Sequence, residues 1–116
     1  MAAVTIYHNP RCSKSRQTLQ LLQENGVEPE VVLYLEDTPP LETLARIIVM
    51  LGVSVREFMR TGESAYKDNN LKDSSLSDRQ LLEAMVEHPK LIQRPVVLAN
   101  GQARIGRPPE SVLEIL

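Results

Sequence analysis

The sequence predicts an α/β fold with a four-stranded mixed sheet, and three observations lead to it. Near the start, an apolar strand pattern, leucines at helical spacing and a second apolar run give the order β-α-β. Roughly residues 40–90 carry helix patterns alone. Near the end, Asn100-Gly101 separates two short apolar runs, which is the strongest two-residue hairpin signal. The predicted order is therefore β-α-β…β-β-α, with a helical insertion between the second and third strands.

The β-α-β unit begins with a strand at Val4–Tyr7, which Asn9-Pro10 ends. A helix is predicted over residues 13–25, with Ser13 as a possible cap and Gly26 as its stop. The second strand is predicted at residues 30–35, and the connection should make the two strands parallel.

The insertion contains helix patterns with clear start signals. Ser54 and Ser77 each stand three residues before Glu57 or Gln80, the spacing of a capping box. The helices of the insertion are predicted at residues 41–51, 55–59 and 78–87, with a short helix and loop within 63–73.

The last part of the chain predicts two paired strands and a helix. The strands fall at residues 95–98 and 103–105, and Pro108-Pro109 starts a C-terminal helix over 110–116. No internal repeat or linker interrupts the chain, so residues 1–116 are predicted to form a single domain.

Composition excludes several classes of protein. A formal net charge of −2, three Tyr, one Phe and no Trp argue against nucleic-acid binding. The single cysteine excludes a disulfide framework and a CxxC metal site. The longest apolar run, residues 47–51, is too short to cross a membrane. No signal-peptide pattern opens the sequence, so we expect a cytoplasmic location. We also expect a monomer without a bound metal or cofactor.

Cys12 lies in the predicted strand-to-helix turn, which makes it the strongest candidate for chemistry. The N–H groups of a first helical turn lack helical partners and favour anions, including a thiolate. A lone cysteine is otherwise a small, half-buried apolar residue. Ser15 occupies the second position of a CxxC-like motif, and no other cysteine exists. An oxidised or bonded Cys12 would therefore need an outside thiol, which points to a glutathione- or glutaredoxin-type partner.

Three segments carry a resemblance to a known family: residues 7–16 (YHNPRCSKSR), 91–95 (LIQRP) and 104–109 (RIGRPP). With the predicted element order, they resemble the ArsC family of arsenate reductases, the glutaredoxin-linked group with a thioredoxin-like (glutaredoxin-like) fold. The resemblance covers nearly the whole chain and extends to an uncharacterised paralogue branch of the family.

The resemblance implies a site and a reaction. Cys12 is the implied nucleophile, and His8 is implied to help keep it ionised. The implied oxyanion-binding residues are Arg60, Arg94 and Arg107. Thioredoxin-like folds place a cis-proline opposite the cysteine turn, and Pro95 fits that position. In the implied reaction, Cys12 attacks arsenate to form a covalent adduct, and then glutathione, as co-substrate, and glutaredoxin release arsenite.

Other interpretations stay open for these residues and for the protein. Without the resemblance, Arg60 is a surface cation at a helix end, and His8 is a structural histidine. Arg94 and Arg107 each precede a proline, which places them in extended backbone at junctions where sites are often built; without the resemblance, a surface role is an equal alternative for both. The protein could instead be a thiol-dependent binding or regulatory protein, or a glutathione-linked thiol oxidoreductase on the same scaffold.

Overall fold

The chain divides into a sheet unit and a helical unit. The computed structural model describes residues 3–116. The sheet unit comprises the described residues up to Asp37 together with Arg94–Leu116, and the helical unit is Thr38–Gln93. The helical unit covers the range predicted as the insertion. That the whole chain folds as one domain stays a prediction.

The sheet unit contains a four-stranded mixed sheet, as predicted. Its strands are β1 (Val4–Tyr7), β2 (Glu30–Val32), β3 (Val96–Ala99) and β4 (Gln102–Ile105). They lie in the order β2-β1-β3-β4. The pair β1–β2 is parallel, whereas β1–β3 and β3–β4 are antiparallel. The parallel pair confirms the β-α-β prediction, because its strands are joined through helix α1 (Ser13–Glu24).

The hairpin between β3 and β4 depends on two residues with left-handed backbone. Asn100 and Gly101 have φ angles of 53° and 74°, the combination that a two-residue hairpin turn needs. This turn sets the register in which Val96 lies opposite Ile105. Residues just before β3 and just after β4 consequently emerge at the same end of the sheet.

The core of the sheet unit joins one face of the sheet to α1 and to a C-terminal 3₁₀ helix, Pro109–Ile115. Burying these apolar side chains is the main favourable term in folding the unit. The core side chains are between 0% and 3% exposed: Ile6, Leu22, Val97, Ala99, Val112 and Ile115.

The helical unit follows the predicted pattern closely. Both predicted capping boxes form: the Ser54 and Ser77 hydroxyls accept backbone N–H groups while Glu57 and Gln80 bond back to the cap residues. Its helices are α2 (Leu41–Leu51), α3 (Val55–Phe58), α4 (Ser64–Asp68), α5 (Asp78–Glu87) and the 3₁₀ turn Pro89–Leu91.

Several predicted boundaries were wrong by a few residues, and one predicted helix is of another type. Strand β3 is Val96–Ala99 and not 95–98, β4 begins at Gln102 and not at residue 103, and α3 ends at Phe58 and not at residue 59. Strand β2 ends at Val32 and not at residue 35, because the backbone turns and the N–H groups of Glu36 and Asp37 bond to the Leu33 carbonyl. Helix α1 ends at Glu24, one residue earlier than predicted. The predicted C-terminal α-helix is a 3₁₀ helix, whose first turn closes from the Ser111 N–H to the Pro108 carbonyl.

Candidate functional site

The register of the sheet collects the candidate residues at one end. Tyr7 at the end of β1 lies opposite Val96, and Val96 lies opposite Ile105. The segment after β1, the segment before β3 and the segment after β4 therefore leave the sheet side by side. These segments carry Cys12, Arg94 and Arg107 respectively.

Cys12 ends a tight turn and begins helix α1. Its N–H donates to the Asn9 carbonyl at 3.0 Å, and Pro10 occupies the second turn position, which its fixed φ favours. Its own carbonyl accepts the Arg16 N–H at 3.0 Å, the first hydrogen bond of the helix. The cap is thus Cys12, with extended backbone, and the prediction of Ser13 was wrong by one residue. No acidic side chain lies in the first turn to offset the positive end of the helix dipole.

The guanidinium of Arg107 connects the cysteine to the segment before β3. Its Nη2 lies 3.6 Å from Cys12 Sγ, and its Nε donates to the Arg94 carbonyl at 2.9 Å. Cys12 is 9% exposed, whereas Arg107 is an exposed residue. The sulfur of a largely buried cysteine therefore contacts a cationic N–H donor on an exposed side chain.

The guanidinium of Arg94 has unsatisfied hydrogen-bonding capacity. Its Nε and Nη1 atoms are buried and have no partner among the described residues. Within residues 3–116, neither Arg94 nor Arg107 forms an ion pair. A buried charged donor without a partner is costly, so these two atoms need an explanation, and a bound anion is one that fits their charge. A guanidinium binds two oxygens of a tetrahedral oxyanion through two parallel N–H groups on one edge, either Nε with Nη2 or Nη1 with Nη2, so each edge of Arg94 includes one of these unpartnered nitrogens.

The loops that present the two arginines pack closely against each other. The Arg94–Pro95 peptide is cis, and the Gly106 N–H donates to the Pro95 carbonyl at 2.9 Å. A Cβ on Gly106 would lie 2.7 Å from Pro95 Cγ and closer still to Thr18 Oγ1. Glycine at this position therefore allows the segment carrying Arg107 to reach helix α1.

His8 is 6% exposed and takes part in a buried hydrogen bond. Its Nδ1 lies 2.6 Å from the hydroxyl of Ser15, which also accepts the Asn9 N–H at 3.0 Å. Burial, and then the nearby Arg16 cation, lower the pKa of His8 below its ordinary value of 6.5. The imidazole is therefore neutral at neutral pH, so any support for Cys12 has to act through hydrogen bonding and position.

Arg60 belongs to the helical unit. Its guanidinium forms an ion pair with the Glu63 carboxylate, and both side chains are about a quarter exposed. Its backbone N–H donates to the Leu91 carbonyl at 2.8 Å. Within the sheet unit, by contrast, Cys12, Arg94 and Arg107 are linked by direct hydrogen bonds.

Two further observations concern other kinds of site. Between residues 3 and 116, no group of three or more His, Cys, Asp or Glu side chains is arranged to hold a metal ion. In the same part of the chain, no helix combines the length and apolar character needed to span a membrane.

Gly106 and the hydroxyl of Ser15 are features of the site that sequence reasoning missed. A glycine directly before an arginine in a junction loop is a weak signal, because the contact that requires it involves Thr18, far away in sequence. The position of Ser15 suggests a replaced redox cysteine, but its burial and its partners become visible only in the folded chain.

The sequence and the fold of this chain are similar to those of known proteins. The model of the ArsC family matches residues 7–115. The uncharacterised protein YfgD of Escherichia coli is 64% identical over 97% of this chain and 96% of its own length. An arsenate reductase of Haemophilus influenzae is 49% identical, covering 98% and 99% of the two chains. The solved structure of an arsenate reductase from Vibrio cholerae has a TM-score of 0.96 at 59% identity, with 98% of each chain covered.

The lowered pKa of His8 predicts a loss of stability in mild acid. In the unfolded chain His8 takes up a proton near pH 6.5, whereas in the folded chain its pKa is lower. The unfolded state therefore binds more protons in mild acid, and the free energy of unfolding should fall as the pH drops from about 7 through the folded pKa. Denaturant unfolding of the wild type and of His8→Gln, measured between pH 7.5 and 5, should show a shallower decline in the variant. His88→Gln is the control, and equal slopes in wild type and His8→Gln would contradict the prediction.

The close packing at Gly106 predicts a costly Gly106→Ala substitution. The added Cβ would overlap Thr18 and Pro95, so we expect destabilisation of about 1–3 kcal/mol in chemical denaturation. Thr18→Ala removes the closer obstacle, so the double variant should lose less stability than the sum of the single changes. Gly62→Ala, where a Cβ meets nothing within 4 Å, should stay within about 0.5 kcal/mol of wild type. Strict additivity of Gly106→Ala and Thr18→Ala would argue against the packing explanation.

Proposed function

The chain belongs to the ArsC family, and on that premise we propose that it is an arsenate reductase with Cys12 as its nucleophile. The names of several relatives support this proposal, since proteins 49% and 46% identical over nearly all of this chain are arsenate reductases. The local chemistry supports it independently. The reaction needs a nucleophilic sulfur beside donors for an oxyanion.

The unpartnered guanidinium of Arg94 is the observation that supports the proposal most directly. Its Nε and Nη1 are buried, and its carbonyl accepts the Arg107 Nε, whose neighbouring Nη2 lies at Cys12 Sγ. In the proposal, arsenate binds to Arg107 and to one two-donor edge of Arg94, which turns toward the anion, and so comes close to the Cys12 sulfur. Positive charge there would also stabilise the negative charge that develops on arsenate oxygens in the transition state.

The proposed reaction begins with attack of the Cys12 thiolate on arsenic. An S–As bond forms and an As–O bond breaks: an arsenate hydroxyl takes up one proton from solvent and leaves as water, and arsenic remains pentavalent in the adduct. Glutathione then adds as a second thiol. Its sulfur replaces a second arsenic-bound hydroxyl, which leaves as water with the thiol proton. A glutaredoxin thiol then attacks the glutathione sulfur, so a glutaredoxin–glutathione disulfide forms, the As–S bond to glutathione breaks, and its electron pair reduces arsenic to the trivalent state while the thiol proton passes to an arsenic oxygen. Water hydrolyses the remaining S–As bond, which releases arsenite and returns Cys12 as a thiol. Because Cys12 is the chain's only cysteine, the electrons come from outside thiols.

Two further residues belong to the proposal. Arg60 is the third proposed oxyanion ligand, by the family resemblance, and its use would require it to share or release Glu63. His8 supports Cys12 as a neutral group, since its lowered pKa disfavours the imidazolium at neutral pH. We propose glutaredoxin as the protein partner and a cytoplasmic monomer as the working form.

Replacement of Cys12 should remove the reaction. Cys12→Ser leaves a hydroxyl that is a far weaker nucleophile, so arsenate reduction should fall to background while the far-ultraviolet circular dichroism stays that of the wild type. Turnover is measured with glutathione, glutaredoxin and a coupled assay of NADPH oxidation, with and without glutaredoxin. Arsenite production by Cys12→Ser would contradict the proposal. Disulfide exchange by the wild type without arsenate reduction would favour the thiol-oxidoreductase interpretation.

The two linked arginines should control access of anions to the sulfur. We expect arsenate or sulfate to slow alkylation of Cys12 by iodoacetamide, and Arg94→Gln or Arg107→Gln to weaken this protection about ten- to a hundredfold by removing charged hydrogen bonds. Mass spectrometry measures the rate at one site, because the chain has one cysteine. Arg79→Gln, on the exposed face of α5, is the matched control.

The alkylation experiment also tests which arginines bind the anion. Full protection by arsenate in both arginine variants would mean that the anion does not bind at these donors. Arg60→Gln in the same series examines the third arginine, and an unchanged protection there would remove Arg60 from the proposed ligand set.

A further inference from the structure

Ser15, in helix α1, has a buried hydroxyl that is hydrogen-bonded to residues at the start of the turn that contains Cys12. It lies in the first turn of the helix and is 0% exposed. Its Oγ lies 2.6 Å from His8 Nδ1 and accepts the Asn9 N–H at 3.0 Å. One hydroxyl is thus bonded to both residues that lead from strand β1 into the turn.

The hydrogen-bonding capacity of the hydroxyl is well used. A serine hydroxyl has one proton to donate and two acceptor positions, and the Asn9 N–H occupies one acceptor. The bond to His8 fixes one imidazole nitrogen and thereby the orientation of the ring. Without the hydroxyl, the Asn9 N–H and the His8 Nδ1 would both lose a partner in a place with little access to water.

The contacts of Asn9 continue from Ser15 to Cys12. The Asn9 carbonyl accepts the Cys12 N–H at 3.0 Å, and its side-chain Oδ1 accepts the Arg11 N–H at 3.0 Å. Cys12 in turn begins the helix that carries Ser15. The hydroxyl therefore closes a ring of contacts from Cys12 through α1 to Asn9 and back to Cys12.

We propose that Ser15 is a positioning residue that holds the Cys12 turn and the His8 ring in the arrangement from which the sulfur reacts. In the described part of the chain, no hydrogen bond joins Ser15 to Cys12. The hydroxyl acts on the sulfur through Asn9 and His8. The inference rests on Cys12 being the reactive group of the proposed function, but its test needs no arsenate.

The test measures iodoacetamide alkylation of Cys12 in Ser15→Ala, His8→Gln and the double variant. Loss of the shared hydrogen bond should lower the rate about fivefold in Ser15→Ala, and the two changes should be clearly non-additive because they act through one contact. Ser15→Thr keeps a hydroxyl and should recover most of the rate. The matched control is Thr18→Val, because Thr18 is also 0% exposed but donates its hydroxyl to Lys14 within the helix.

A spectroscopic measurement separates positioning from simple stabilisation. The ¹⁵N spectrum of the His8 imidazole should show one tautomer in the wild type and a changed tautomer balance in Ser15→Ala. The inference would be overturned if Ser15→Ala lost as much stability as Thr18→Val but kept the wild-type His8 shifts and the wild-type alkylation rate of Cys12. If Ser15→Ala does not fold, the wild type decides: a protected Asn9 amide and a single His8 tautomer support the inference, and rapid exchange with mixed tautomers overturns it.

The outcomes for this inference and for the proposed function can be told apart. A wild-type protein that fails to reduce arsenate, yet shows the Ser15 effects on alkylation, would end the proposed function and support the positioning role. If wild type and Ser15→Ala reduce arsenate equally well and are alkylated at equal rates, the proposed function is supported and the positioning role of Ser15 is overturned.

Discussion

The candidate site depends on two interactions of the Arg107 guanidinium. Its Nε donates to the Arg94 carbonyl and its Nη2 lies at Cys12 Sγ, so one planar group joins three segments that are distant in sequence. This is possible because Val96 is paired with Tyr7 on one side and with Ile105 on the other. The site is thus a consequence of sheet register, and a change of register by one residue would separate the sulfur from its donor.

The distribution of partners among the arginines explains why an anion is the expected ligand. Arg60, Arg79 and Arg104 each pair with a glutamate. Six arginines, Arg94 and Arg107 among them, have no such partner among residues 3–116, but of these only Arg94 has buried side-chain nitrogens without a hydrogen bond in that range. Because desolvating a cation is costly unless opposite charge compensates it, this arrangement favours a ligand that brings negative charge.

Some features were predictable because they depend on neighbouring residues in sequence. Asn100-Gly101 specifies its turn, and Ser54 and Ser77 specify their helix starts, wherever the segments lie. The early end of β2 was not predictable, because the apolar run continues past Val32 while the backbone turns. For the site, the strand–turn–helix pattern singled out Cys12. The neutral state of His8 and the need for glycine at 106 depend on burial and contacts that form only in three dimensions.

Ser15 links the geometry of the turn to its chemistry. A cysteine at this position would give a CxxC pair, which can form and break its own disulfide. A thiol is a weaker hydrogen-bond donor and acceptor than a hydroxyl, so it would serve the Asn9 N–H and His8 Nδ1 less well. Position 15 can therefore hold either a serine that bonds well to the turn or a cysteine that could form a disulfide with Cys12, but not both. With serine at position 15 the chain has no internal resolving thiol. The serine hydroxyl instead accepts the Asn9 N–H, and the Asn9 carbonyl accepts the Cys12 N–H. The proposed use of outside thiols would then be a consequence of the hydrogen bonds that hold the turn.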